Sequence, residues 1–383
     1  MSKHSLVPTG TVDLHELDDL RADVRAFARE QQAAGTSRTV DSWLTGWNEE
    51  FTRALAARGW IGMTVPIEYG GHGRSHVERY VVTEELLAAG APVAAHWIAD
   101  RQIVPSLLKY GTELQRRRFL PAIARGECFF GIGMSEPDSG SDLASVRSRA
   151  AKVDGGWQID GAKVWTSGAH RADAFICLVR TAPQDPDHRH DGLSQFIVDL
   201  RAPGVTVRPI YSMNGGHHFN EVILDAVFVP DDMVFGEIGQ GWKQVTSELS
   251  FERSGPERFL STFPLLAALG EQMNRGTVPR NADFGRYVAR IAGLRRMSMA
   301  VAGALERGEP ADTAAAVVKV LGTATEGDIA DLADRLTDGS VGTDSHDYRA
   351  LVTDAVDQRP GFTLRGGTNE VLRGVIARGL GMR

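Results

Sequence analysis

The hydrophobic period of this 383-residue chain changes twice, and that change restricts the fold more than any other feature. From residue 14 to about 128, apolar residues recur every three or four positions. They do so through LHELDDLRADVRAFAREQ, DSWLTGWNEEFTRALAARG, HVERYVVTEELLAAG and ELQRRRFLPAIARGE, the pattern of helices packed by one face. From about 130 to 235 the period falls to two. AKVDGGWQIDG reads as a hairpin around Asp154, Gly155 and Gly156, and AFICLVRT, LSQFIVDL, GVTVRPI and NEVILDAVFVP read as strands. After Gly241 the helical period returns in GRYVARIAGLRRMSMAVAGALERG and AAAVVKVLGTATEGDIADLADRL. Strands gathered between two helical blocks predict an α+β protein and argue against a doubly wound sheet. The expected divisions are an N-terminal helical domain at 1–128, a middle antiparallel β domain at 129–236 and a C-terminal helical bundle at 237–383.

Several partners and settings are argued against on the same page. A net charge of −7 without a basic face or a recognisable motif argues against nucleic acid. No apolar run reaches the roughly 18 residues of a membrane span. MSKHSLVPTGTVDLHEL lacks the apolar stretch of a secretory signal, which points to a cytoplasmic protein. Cys128 and Cys177 lie in apolar strings and are expected to be buried, reduced thiols. His188, His190, His217 and His218 fall in connections between strands with no compact set of ligands around them, so no metal site is expected.

Four segments carry chemistry. GIGMSEPDSGSD (131–142) sets small residues and hydroxyls where helix gives way to strand, which lets backbone and side-chain donors approach a planar polar ring. In KVWTSGAH (163–170), Trp165 can shield a ring face and Ser167 can donate to its edge. In RGGTNEVLRGVIARGLGMR, Gly366 and Gly367 make a turn and Thr368 caps a helix whose buried face is Val371, Leu372, Val375 and Ile376. A helix start opened by glycines suits a polar cofactor. In GWKQVTSELSFERSGPERFL, a helical reading puts Trp242, Val245, Leu249, Pro256 and Leu260 on one side, with Glu252 and Arg253 flanking them. A carboxylate so placed is partly buried, and its pKa rises towards the range of a carbon base.

Together these segments resemble the acyl-CoA dehydrogenase family across essentially the whole chain. The resemblance implies FAD and a CoA thioester enclosed by helical, β and helical domains. It implies flavin contacts at Met134, Ser135, Trp165, Ser167, Thr368 and Glu370, and a substrate contact at Ser141. Many members carry the catalytic glutamate in Y-E-G-T, where this chain has Arg365, Gly366, Gly367 and Thr368. Gly366 cannot take a proton. The isovaleryl- and long-chain-type members place the base on the helix carrying E-R, here Glu252 with Arg253 beside the substrate. The implied reaction is α,β-dehydrogenation to a trans-2-enoyl-CoA, with electron-transfer flavoprotein as the electron acceptor.

Two family segments are altered. The R-x-x-F-G segment that reaches FAD from a neighbouring subunit is matched only by RNADFG (280–285), with one residue too many, and Ala292 stands at its glutamine position. The adenosine-contacting segment is replaced by ADRLTDGSVGTDSHDYRA. Bacterial relatives built as heterotetramers complete their FAD sites between unlike chains, several of them on sterol side-chain thioesters. The chain resembles the base-carrying member of such a pair, in a homo- or hetero-tetramer. Gly255 and Pro256 are expected to break the helix after the base and could widen the acyl pocket. Other readings on the same fold are a flavin monooxygenase or oxidase, or a non-catalytic partner subunit.

Overall fold

The computed structural model describes Pro8 and residues 15–337 and 346–382, with the side chains of 15 and 248–252 excepted. Among these residues the two-residue period becomes one sheet. Its strands are β1 (Phe130–Gly133), β2 (Arg149–Val153), β3 (Gly156–Lys163), β4 (Ala174–Arg180), β5 (Leu193–Asp199), β6 (Val205–Tyr211), β7 (His217–Pro230) and β8 (Val234–Phe235). They run β6-β7-β3-β2-β4-β5-β8, with β1 against β4. The expected hairpin joins β2 to β3, Val153 facing Gly156, and Gly155 takes φ 69° to close the loop. β4 is buried at every position and β6 alternates, as central and half-covered strands should.

The sheet is mixed, which corrects the expectation of an antiparallel one. β1 runs parallel to β4 from Phe130↔Ala174 to Gly133↔Cys177, and β2 meets β4 in parallel at Arg149↔Arg180. Parallel neighbours need long connections, and the chain between β1 and β4 supplies one. β1 spans only four residues, too few for alternation to declare it.

The helices divide between two compact units that interleave along the chain. One unit takes 1–47, 74–93 and 252–383, and the other takes 48–73 and 94–251. The first, a bundle, holds helices Asp18–Ala33, His76–Ala88, Phe263–Arg275, Ala282–Glu306, Asp312–Thr337, His346–Phe362 and Asn369–Gly379. Helix His76–Ala88 opens on a reciprocal cap between Ser75 and Glu78 and is buried from Arg79 through Leu87. Its buried acids Glu84 and Glu85 meet Arg21 and Arg25 from one neighbouring helix, and Glu84 meets Arg295 from another. Those pairs tie an early helix to a late one, so the unit cannot be a continuous stretch of sequence. The second unit joins Glu49–Ala57, Ala94–Ile98, Val104–Tyr110 and Glu113–Ala124 to the sheet.

Three helical expectations change in detail. DSWLTGWNEEFTRALAARG is two helices, Ser42–Thr45 and Glu49–Ala57, because Asn48 accepts from the Phe51 N–H at 2.9 Å and starts a new one. The helix carrying E-R ends at Arg253, and Pro256 begins a separate short 3-10 turn, so Pro256 and Leu260 are buried but do not share its apolar side. In the last helix only Asn369 and Leu372 are buried. Val375 and Ile376 are half-buried and Val371 is exposed, since this helix packs on Asp312–Thr337 along one edge.

Candidate active site

In the sheet unit, the two hydroxyl-rich segments are joined directly. The Val164 N–H donates to the Ser135 carbonyl at 2.9 Å. The Lys163 ammonium, fully buried, donates to Glu136 Oε1 at 2.7 Å and to the Met134 carbonyl at 3.3 Å. Glu136 also accepts from the backbone N–H of Arg147 at 2.6 Å and of Ser148 at 3.0 Å. Burial would raise the Glu136 pKa, but the Lys163 charge and these donors hold it below the ordinary carboxylate value. Glu136 and Lys163 are the functional-site residues that sequence reasoning missed. They stand inside the two motifs, and a charge pair between segments far apart in sequence has no local signature.

This pair fixes the backbone that presents Met134, Ser135, Trp165 and Ser167. Trp165 follows the end of β3 with φ 61°, a left-handed conformation that a bulky residue seldom adopts. It is 57% exposed, where a tryptophan at a strand end is ordinarily core. Its ring rests edge-on against Phe219, centroids 5.5 Å apart. The loop beyond it is held by fully buried Asn220, whose amide donates to the Thr166 carbonyl at 3.0 Å. Met134, Ser135 and Ser167 are half-buried. Among the described residues no hydrogen bond engages the hydroxyls of Ser135 and Ser167. An exposed indole beside two uncommitted hydroxyls fits a planar ring with polar edges.

Ser141 lies on the same unit but in the exposed part of its loop, past the short bridge between Glu136 and Ser139. Its neighbour Asp142 is gripped by Arg189 at 2.7 and 2.8 Å. Arg189 belongs to the β4–β5 connection, which also stacks His190 on Trp242, centroids 3.9 Å apart.

In the bundle unit, Arg253, the last residue of the helix bearing E-R, meets the glycine turn. Arg253 Nε donates to the Gly366 carbonyl at 3.3 Å, so the end of the E-R helix and the glycine turn are neighbours. The Glu252 side chain lies outside the described residues. Gly366 and Gly367 take φ 66° and 85°, which explains two glycines there. Thr368 caps the last helix by accepting from the Val371 N–H at 3.3 Å, and Glu370 is exposed on its first turn. Asn369, unremarked in the sequence, accepts from the buried Lys319 ammonium at 2.8 Å. Lys319 also donates to the Thr363 carbonyl at 2.9 Å, bracketing the turn.

One of the altered segments has a structural explanation. In RNADFG, Asn281 caps helix Ala282–Glu306 through the Asp283 N–H at 2.7 Å, so the extra residue is absorbed at a helix start. Arg280 and Ala292 are exposed. The middle of ADRLTDGSVGTDSHDYRA, like most of the N-terminal stretch judged not to be a secretory signal, lies outside the described residues. Both cysteines are free. Cys177 is buried but Cys128 only half-buried, and burial pushes their pKa values to about 11 and about 12, away from nucleophilic use. Among the described residues no cluster of three or more His, Cys, Asp or Glu is placed to hold a metal ion, and no helix is long and apolar enough to cross a membrane.

In the sheet unit, the exposed indole of Trp165 beside the Ser135 and Ser167 hydroxyls is chemistry that suits a planar polar cofactor. Comparison with known proteins agrees. The chain matches "Acyl-CoA dehydrogenase, N-terminal domain" over residues 15–127, "middle domain" over 131–227 and "C-terminal domain" over 281–381. It is 33% identical to acyl-CoA dehydrogenase FadE34 of Mycobacterium tuberculosis, covering 96% of this chain and 49% of that protein. It thus spans about half the length of that relative. Among solved structures it resembles the Tcur3481-Tcur3483 steroid ACAD, with TM-score 0.86, 32% identity and coverage of 98% and 100%. It also resembles a chain of the ChsE4-ChsE5 complex from Mycobacterium tuberculosis, with TM-score 0.80, 28% identity and coverage of 98% and 100%. The chain belongs to the acyl-CoA dehydrogenase family, a family of flavin-dependent oxidoreductases with an N-terminal helical, a middle β and a C-terminal helical domain.

Proposed function

We propose that this protein is an FAD-dependent acyl-CoA dehydrogenase that converts a thioester to its trans-2-enoyl-CoA, with Glu252 as the base. The observation that carries this reading is the exposed Trp165, fixed one residue past the Ser135–Val164 hydrogen bond. FAD, when bound, supplies the acceptor for the β-hydride. Met134, Ser135, Trp165 and Ser167 would hold its ring, and Thr368 and Glu370 are the contacts that the last helix would offer the cofactor. Ser141 and Arg253 orient the thioester, whose carbonyl acidifies the α-carbon. Glu252 removes the α-proton.

The domains of this enzyme are 1–128, 129–236 and 237–383. The two similar structures, the Tcur3481-Tcur3483 steroid ACAD and the ChsE4-ChsE5 complex, support a bulky sterol-derived acyl group and a second acyl-CoA dehydrogenase-like chain in a tetramer. Electron-transfer flavoprotein is the proposed acceptor and the cytoplasm the proposed location. Anaerobic mixing of the FAD-loaded protein with a panel of CoA thioesters, sterol side-chain thioesters included, tests the reading. It is sustained if one thioester reduces the flavin. Reduction by none of them, or substrate-dependent oxygen consumption in air, favours a non-catalytic subunit or an oxidase instead.

A further inference from the structure

We infer that Asp41 and Arg365 form a positioning pair that fixes the Gly366–Gly367 turn under Arg253, holding the E-R end of its helix in place from a distant part of the chain. The inference rests on the dehydrogenase reading only in its kinetic arm.

Arg365 immediately precedes the turn, and its guanidinium donates through Nη1 to Asp41 Oδ2. Asp41 is fully buried and itself immobilised. Its backbone is left-handed at φ 57°, its N–H donates to the Ser261 carbonyl at 3.1 Å, and it starts helix Ser42–Thr45. The Arg365 guanidinium carbon also lies 4.9 Å from the Trp43 ring centre and 5.6 Å from that of Phe362. Trp43 is pinned in turn by Nε1 donating to Ser261 Oγ at 3.1 Å. Displacing Arg365 therefore breaks a buried charge pair and two cation–π contacts together.

The turn needs such an anchor. Two consecutive left-handed glycines have no side chains to hold them, yet the Gly366 carbonyl must meet Arg253 Nε. Lys319 and Asn369 fasten the far side of the turn, and Asp41 and Arg365 fasten the near side. A buried ion pair seldom adds net stability over apolar residues of the same volume, so geometry is the better reason for keeping one here. The surrounding charged and titratable groups are consistent with a shared scaffold. Glu326 accepts from the Ser261 N–H at 2.8 Å, Asp354 accepts from the Val40 N–H at 3.2 Å, and Arg258 also lies over Trp43 at 5.1 Å.

The test is a double-mutant cycle on the FAD-loaded protein, with any partner that copurifies. Arg365→Met should slow thioester-driven flavin reduction about 10- to 100-fold, the scale of a small misplacement, with KM within about twofold. Arg365→Lys should recover part of the rate. Arg365→Met with Arg253→Met should be no slower than the slower single variant, and the melting-temperature losses of the two should likewise fall short of their sum. Asp41→Asn, which keeps the side-chain volume, carries the same readouts if Arg365→Met does not fold. If no thioester reduces the wild-type flavin while the melting cycle still couples residues 365 and 253, the functional reading fails and this inference stands. Additive effects in both arms overturn it, as does a lowered melting temperature with an unchanged reduction rate per folded molecule.

Discussion

Replacing Lys163 with Met should destabilise the protein by about 3 kcal/mol, the low end for breaking a buried ion pair. Lys163 is fully buried and Glu136 nearly so, and their charged atoms are 2.7 Å apart. Met keeps the length of the stem, so little packing is lost and the cost falls on the stranded Glu136 carboxylate. That carboxylate retains the Arg147 and Ser148 N–H donors, which places the value at the low end of the roughly 3–5 kcal/mol range. For 383 residues unfolding together, about 3 kcal/mol lowers the melting temperature by roughly 4 °C. Lys163→Met with Glu136→Gln removes both charges and should recover most of the loss. The penalty also depends on pH. Glu136 has a depressed folded pKa, so its contribution is present above the unfolded value of 4.5 and lost as pH falls through the folded value. Denaturant titrations of wild type and the two variants near pH 7 and pH 4 measure all of this. A single-variant loss under about 1 kcal/mol, or a double variant worse than the single, would refute the reasoning.

Trp165→Ala should weaken FAD retention by up to about tenfold, the worth of one aromatic contact, while barely moving the melting temperature, because the ring is mostly exposed; a large stability loss with unchanged FAD affinity would make it a core residue. Burial, with Asp41 adding and Arg365 opposing, raises the Glu326 pKa to about 8, so its stability contribution is present below 4.5 and lost as pH rises to about 8. Glu326→Gln should therefore gain on wild type by up to about 1.4 kcal/mol per pH unit across that window, and parallel stability curves would contradict this. His96 is the opposite case: burial lowers its pKa to about 4, so stability should fall as pH drops from 6.5 towards 4, and His96→Gln should flatten that slope in acid titrations.

What could be read in advance was what is local. The hairpin at Asp154 and Gly155, the cap at Thr368 and the breaks after Arg253 each follow from residues within a few positions of one another. The assignments of Trp165 and Ser135 to one surface came from a resemblance, and the Ser135–Val164 hydrogen bond supplies its physical basis. The features that escaped are non-local. Glu136 finds Lys163, Asn220 finds Thr166, and Glu84 finds Arg295 only through tertiary structure. The same cause divides the early helices between two units, because burial of His76–Ala88 is completed by a helix near the other end of the chain. A tryptophan at a strand end, such as Trp165, is ordinarily core because ring area usually decides burial. A left-handed backbone at its position overrules that preference.

The claim at the centre of this account is that Glu252 takes the α-proton of an acyl-CoA. Wild type and Glu252→Gln, both loaded with FAD, can be mixed anaerobically with the thioester that best reduces the wild-type flavin, and the loss of oxidised-flavin absorbance followed in time. The account predicts equal FAD content and a reduction rate about 10²–10⁴-fold lower in the variant. Flavin reduction at the wild-type rate by Glu252→Gln would contradict it.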